Sequence, residues 1–328
     1  HSMRGTRLMS RTRGSRGHGR LLLVVGAVAL MACKASRDMA EDLFAGSDRA
    51  PRSVDTLGIL PEVLRESSGL AVSRAHPGVY WTHNDSGDKP RFYAIDDSAR
   101  LLGTWDVEGA HAVDWEDMSL GPCPGDAMGV TPACLYLADM GDNGRERKKH
   151  EIYVVAEPDP GDAERAVPLR GRLRFRYPDV AHDAEALAIH PDGSLVVVTK
   201  GRTPTILLYR LGKTEVAEAV AADTVITLPP GLVMPIKPNW RIGRVVTGAD
   251  FSPDGTVLAV RTYSEVYFYR WPIRGRPMEA DTTCLLGALE PQGEGVAFAP
   301  SGALLLTSES AGGRRGALLQ VQCGGGSI

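Results

Sequence analysis

Residues 183–201 read DAEALAIHPDGSLVVVTKG. Asp183 and Glu185 open the stretch as an acidic cluster. A short apolar run follows, Ala186–Ile189, and then the turn His190-Pro-Asp-Gly193, in which Pro presets φ and Gly supplies a positive φ. A second apolar run, Leu195–Val198, ends in a second polar cluster, Thr199-Lys200-Gly201. Two short apolar runs joined by a tight turn predict two antiparallel strands.

The pattern recurs five times along the chain. The other opening clusters are Glu66-Ser-Ser-Gly, Asp114-Trp-Glu-Asp, Thr247-Gly-Ala-Asp250 and Gln292-Gly-Glu-Gly. The other closing clusters are His83-Asn84-Asp85-Ser86, Asp139-Met-Gly-Asp142-Asn143, Arg261-Thr-Tyr-Ser264 and Ser308-Glu309-Ser310. A third strand follows each pair, for example Glu151–Val155 or Val266–Tyr269. Outer strands are expected at Leu101–Val107, Leu169–Tyr177, Asp223–Leu228 and Cys284–Leu289. A recurring unit of about 45–70 residues with this strand pattern indicates a β-propeller. The expected fold is all-β, a single propeller of five four-stranded blades, with a sixth blade from residues 214–246 as the alternative. The last unit has no outer strand of its own before Ile328. Val54–Leu60 is expected to fill that place, closing the ring and removing a sheet edge.

The chain of 328 residues divides by composition. Residues 1–33 carry Arg4, Arg7, Arg11, Arg13, Arg16 and Arg20, then the apolar run Leu21–Ala32, too short to span a bilayer comfortably. The segment ends Leu30-Met31-Ala32-Cys33, which resembles the lipobox of bacterial lipoproteins, with Cys33 the lipidated residue. Residues 34–52 read as a flexible tether and 53–328 as the propeller domain. Of 37 basic residues six lie in the leader, against none of the 40 acidic ones, so the remainder holds 31 against 40, a formal charge of −9. That acidity argues against nucleic acid as a partner.

Four cysteines remain beyond Cys33. Three pairings are open to them, and an even number in an exported chain suggests two disulfides. Cys123–Cys134 would staple an inserted loop, and Cys284–Cys323 would tie the last two units.

Because the strands of each pair are antiparallel, the start of the first is level with the end of the second. In a propeller the first strand lines the central channel. Both polar clusters of every unit then meet at one mouth. Asp114, Glu116, Asp117, Asp183, Glu185, Asp250 and Glu294 come from strand starts and are the candidate metal ligands. From strand ends, His83, Lys200 and Arg261 are the candidate catalytic groups, and Asn84, Asp85, Asp139, Asp142 and Glu309 the candidate ligand contacts. So many carboxylates repel unless a hard cation, Ca²⁺ or Mg²⁺, joins them. Lys200 and Arg261 beside a cation would suit an anion such as phosphate, with His83 as general base. Such carboxylates also have a structural use, accepting backbone N–H groups from the next blade.

The phrases ESSGLA, YWTHNDSG, DWEDM, ADMGDN, DAEALAI, TGADFSPDG and QGEGVAF resemble secreted bacterial β-propeller lipoproteins. These are similar to phytase-like esterase propellers and, more loosely, to NHL-type and SdiA-regulated propellers. The resemblance spans roughly residues 62–323 and implies calcium and phosphoester chemistry. The expectation is a monomeric, extracytoplasmic, lipid-anchored propeller whose mouth binds, and in the enzymatic version hydrolyses, a small anionic molecule. A non-catalytic propeller binding a cell-envelope glycan, peptide or protein is the alternative.

Overall fold

The computed structural model describes residues 49–126, 133–162, 165–273 and 280–324. The leader, Cys33 and most of the tether lie outside the described residues, as does part of the loop between Cys123 and Cys134.

The fold is a β-propeller, and among the described residues the strands follow one another in antiparallel groups, the first two of which are joined at their outer strands by a short parallel pairing of Asp106–Glu108 with Ala166–Pro168. The first group is β2 (Ser67–Val72), β3 (Val79–Asn84), β4 (Arg91–Asp96) and β5 (Leu101–Glu108), preceded by β1 (Pro51–Ile59). The second is β6 (Trp115–Gly121), β7 (Cys134–Asp139), β8 (His150–Ala156) and β9 (Ala166–Arg176). The third holds β10 (Ala184–Ile189), β11 (Leu195–Thr199) and β12 (Ile206–Leu211), then helix α1 (Lys213–Ala222), β13 (Val225–Thr227) and β14 (Leu232–Met234). The fourth is β15 (Val246–Phe251), β16 (Val257–Thr262), β17 (Glu265–Arg270) and β18 (Thr282–Leu285). The fifth is β19 (Gln292–Phe298), β20 (Leu304–Glu309) and β21 (Ala317–Cys323), completed by β1.

The ring closes through that last pairing. β1 lies antiparallel to β21, with Pro51 opposite Cys323 and Ile59 opposite Ala317. The packing closes as well. Separate apolar cores fill the spaces between successive groups, and one of them joins the ends of the chain, with Leu70, Tyr93 and Ile95 of the first group against Ala297, Leu305 and Leu318 of the fifth. Burial follows position. Every residue of β6, β7, β10 and β11 is buried, whereas β1, at the periphery, is largely exposed.

Both disulfides form in the expected pairing. Cys123–Cys134 spans a Cα–Cα distance of 5.0 Å, and Cys284–Cys323 joins β18 to β21 across 5.6 Å.

Residues 214–246 behave differently from either expectation. α1 tucks Val216 and Ala219 into the core between the second and third groups. It ends on Asp223 in the left-handed region, φ 48°, which Arg172 and Arg174 of β9 grip by ion pairs. The chain is thereby returned to the second group, and β13 pairs in parallel with β9, at Arg174–Arg176. The expected outer strand Asp223–Leu228 is therefore not the outer strand of its own group. β14 takes that place beside β12.

The innermost strands share one irregularity. Each skips register near its start: between Ser67 and Leu70, Trp115 and Asp117, Ala184 and Ala186, Val246 and Gly248, and Gly293 and Val296. The unpaired positions are Ser68-Gly69, Glu116, Glu185, Thr247 and Glu294-Gly295. A bulge bends the strand and re-aims a side chain. Here the repeated bulge sets the residue that each group offers at the mouth.

Candidate functional site

Two carboxylate triads gather around the bulged residues Glu116 and Glu185. Asp85, Asp114 and Glu116 form one, and Glu116, Asp183 and Glu185 the other, with one ligand atom from each residue of a triad lying within 4.8 Å of the others. Glu116 belongs to both. Oxygens around a Ca²⁺ at 2.3–2.6 Å are separated by such distances. The loop after β7 leaves room for them. A Cβ on Gly141 would fall 2.1 Å from Glu116 Oε1 and 2.5 Å from Asp114 Oδ2. Gly141 shows no positive φ, so its lack of a side chain is explained by the carboxylates it faces.

One cation is fixed inside the cluster. Lys200 Nζ donates to Glu185 Oε1 at 2.6 Å. Burial works against its charge, but Glu185, Tyr263, Glu116 and Glu294 hold its pKa above the ordinary value. Around it burial and mutual repulsion raise the pKa of several carboxylates. Burial, then Asp85 and Asp183, push Asp114 up to about 6. Burial pushes Glu185 to about 7 against the pull of Lys200, and burial with Asp85 and Glu66 pushes Glu309 to about 7. Burial, then Glu185 and Asp85, raise Glu116 well above its usual range. Burial, then Glu309 and Glu185, do the same to Glu294. Metal binding would release protons from these carboxyls and relieve the repulsion.

The mouth thus gathers Asp85, Asp114, Glu116, Asp183, Glu185, Lys200, Glu294 and Glu309 of the expected set. Asp139 and Asp142 adjoin the triads, Asp142 donating its N–H to Asp183 Oδ1 at 2.8 Å, and the other candidates are placed elsewhere. Asp117, fully buried, accepts N–H groups from Met118 (2.8 Å), Leu187 (2.8 Å) and Ala249 (3.2 Å), which ties β6 to β10 and β15. Asp250 accepts the N–H of Phe298 at 2.8 Å and lines a cavity of about 330 Å³ with Ser73, Arg74, Pro253 and Pro300, beside the turns at the opposite ends of the strands. Burial pushes it to about 7. Its offset has a register cause: the bulge places Thr247 level with Glu116, and Asp250 comes three residues later.

Arg261 is fully buried, ion-paired to Glu290 and donating to the carbonyls of Gly295 and Thr307. It fastens β16 to the fifth group and is not presented to a ligand. His83 is also fully buried. Its Nδ1 meets the Asn84 carbonyl at 2.8 Å, its ring stands edge-on to Trp115 at 5.6 Å, and burial lowers its pKa. Asn84 Nδ2 donates to the Val63 carbonyl (2.8 Å) and to Asp88 (2.9 Å). Asp139 accepts the Asp114 N–H at 3.1 Å and pairs with Arg147 at 2.9 Å. Asp142 caps its own loop, accepting the N–H groups of Glu146 (2.8 Å) and Arg147 (2.9 Å).

Other residues at the mouth escape the sequence reading. Gln292 bridges Glu294 (3.0 Å) and Glu309 (2.8 Å). Arg202 pairs with Asp183 and lies over the indole of Trp240. Tyr263 feels Glu294 and Lys200. Gln292 and Tyr263 sit inside the quoted clusters, where an uncharged side chain carries no charge signal of its own. Trp240 comes from the segment between the third and fourth groups and carries no motif.

No protein-family model and no curated protein matches the chain. Among solved structures it is similar to Chaetomium thermophilum Sqt1, crystallised bound to the N-terminus of the ribosomal protein L10, at 14% identity over 78% of this chain and 61% of that one, with a TM-score of 0.37. The chain therefore spans less than two thirds of that relative. The propeller assignment rests on the strand pairing and the closed ring of cores.

Proposed function

We propose that the mouth is a divalent-cation site, for Ca²⁺ or Mg²⁺, through which the chain binds a small anionic molecule of phosphoester type. The observation that carries this is the pair of triads sharing Glu116 under the side-chain-free Gly141. A cation there would be held by carboxylates from the first three groups. Lys200 and Arg202 would supply further positive charge at its side. Binding is favoured over hydrolysis, because His83 is packed away from the mouth and Arg261 is committed to Glu290. The two disulfides support the further reading of an exported protein, and the run Leu30-Met31-Ala32-Cys33 that of a lipid anchor at Cys33.

Calorimetry on the tag-free chain tests the site. Ca²⁺ or Mg²⁺ should bind with release of protons, and Glu116→Gln should weaken binding by roughly tenfold or more, since a ligand of both triads loses its charge. Asp96→Asn, far out on β4, is the control. Absence of binding to the unaltered chain by either ion would overturn the proposal.

A further inference from the structure

Trp240 is half exposed, at 50%, whereas Trp81, Trp105 and Trp115 are fully buried. An indole in water forgoes burial worth a few kcal/mol unless something covers it. This one is also held still. It opens a 3₁₀ turn (Trp240–Ile242) whose cap, Asn239, accepts the Arg241 N–H at 3.1 Å. Asn239 and Arg244 exchange two backbone hydrogen bonds of 2.9 Å, and the Arg244 guanidinium grips Glu265 at 2.7 and 2.8 Å. The loop is therefore a rigid mount.

The mount is at the acidic mouth. Arg202 lies 5.1 Å and Lys200 6.0 Å from the ring centroid, and these residues pair with Asp183 and Glu185 of the second triad. The mouth is rich in hydrogen-bond acceptors. Glu294 Oε2 is buried and has no hydrogen-bond partner in the structure. Glu309 and Glu185 share its electrostatic neighbourhood, and Asp85 that of Glu309.

We infer that Trp240 is the stacking platform for a sugar ring and that the ligand of the mouth is an anionic sugar, of which a hexose phosphate is the simplest case. This rests on the cation reading above. The C–H face of a pyranose covers an indole. Its hydroxyl groups donate to carboxylates that have few protein donors and offer oxygen ligands to a cation. Its phosphate pairs with the cation and with Arg202. A planar aromatic ligand would cover the indole equally well but would bring the carboxylates no donors.

The test uses the full chain saturated with Ca²⁺, whose binding is measured first. Inorganic phosphate, glucose 6-phosphate and phenyl phosphate are then titrated in parallel, by calorimetry and by tryptophan emission. Glucose 6-phosphate should bind at least about tenfold tighter than phosphate and should shift the emission. Trp240→Ala should reduce its affinity to that of phosphate measured on the same variant while leaving Ca²⁺ binding unchanged, and Trp240→Phe should keep part of the gain. The inference is overturned if glucose 6-phosphate binds no tighter than phosphate, if its advantage survives Trp240→Ala, or if phenyl phosphate gains as much. Failure of Ca²⁺ to bind in the first step removes the cation reading and this one with it, whereas failure confined to the sugar leaves the cation reading standing.

Discussion

Glu294 and Gly141 show what single residues decide at this mouth. Glu294, Glu185 and Glu309 titrate above their unfolded values, the last two at about 7. Unfolded carboxyls titrate near 4. Between those limits the folded protein holds more protons than the unfolded chain, so this stability is full below about pH 4 and is lost as pH rises through about 7. In metal-free buffer, Glu294→Gln should melt higher than the unaltered protein at pH 8, and the difference should shrink towards pH 5. Thermal scans across that range check it. Ca²⁺ should raise the melting temperature of the unaltered protein at pH 8 and do little at pH 5, because the ligand carboxyls must first deprotonate. Gly141→Ala puts a methyl group against Glu116 and Asp114. It should cut Ca²⁺ affinity roughly tenfold or more, about 1.4 kcal/mol, while circular dichroism stays unchanged.

At the scale of the strand, the bulge is the decisive element, and it marks how far the sequence can be read. The acidic openings, the turns and the alternation of short apolar runs gave the pairs of strands, and Lys200 with Glu185 was legible as a juxtaposition from strand end and strand start. The register skip was not. Counting from one acidic residue to the next puts Asp250 beside Glu294, while the pairing puts Thr247 there. A signal existed in the dipeptides Ser68-Gly69, Thr247-Gly248 and Glu294-Gly295, which share a frame. Arg261 failed for a different reason. Strand ends alternate between faces, and a buried partner such as Glu290, 29 residues away, leaves no local trace. Asp117 has the opposite lesson, a carboxylate used as a backbone acceptor between neighbouring strands. Asp117→Ala should leave N–H groups of Met118, Leu187 and Ala249 unmatched and destabilise the protein by about 3–5 kcal/mol. Ca²⁺ affinity, measured below the melting point, should be little changed.

For the whole molecule, closure is what the strand groups hold in common. Cys284–Cys323 ties the fourth group to the fifth across a loop of 39 residues. Removing it as the double variant Cys284→Ser, Cys323→Ser should cost roughly 4 kcal/mol, read by denaturant melts under non-reducing conditions. Removal of β1 should do more, since the edge of β21 is then bare and open to pairing with other chains. Light scattering should report aggregation in that truncated form. The ring also ties folding to the order of synthesis. Among the described strands β1 is made first and paired last, so the longest-range pairing among them must be found after β21 exists, a topology that slows folding. Yet Pro51 stands opposite Cys323. A circular permutant that begins at Pro61 and carries β1 after β21 through a short turn would convert this distant search into a hairpin. It should refold faster than the natural order and melt at a similar temperature.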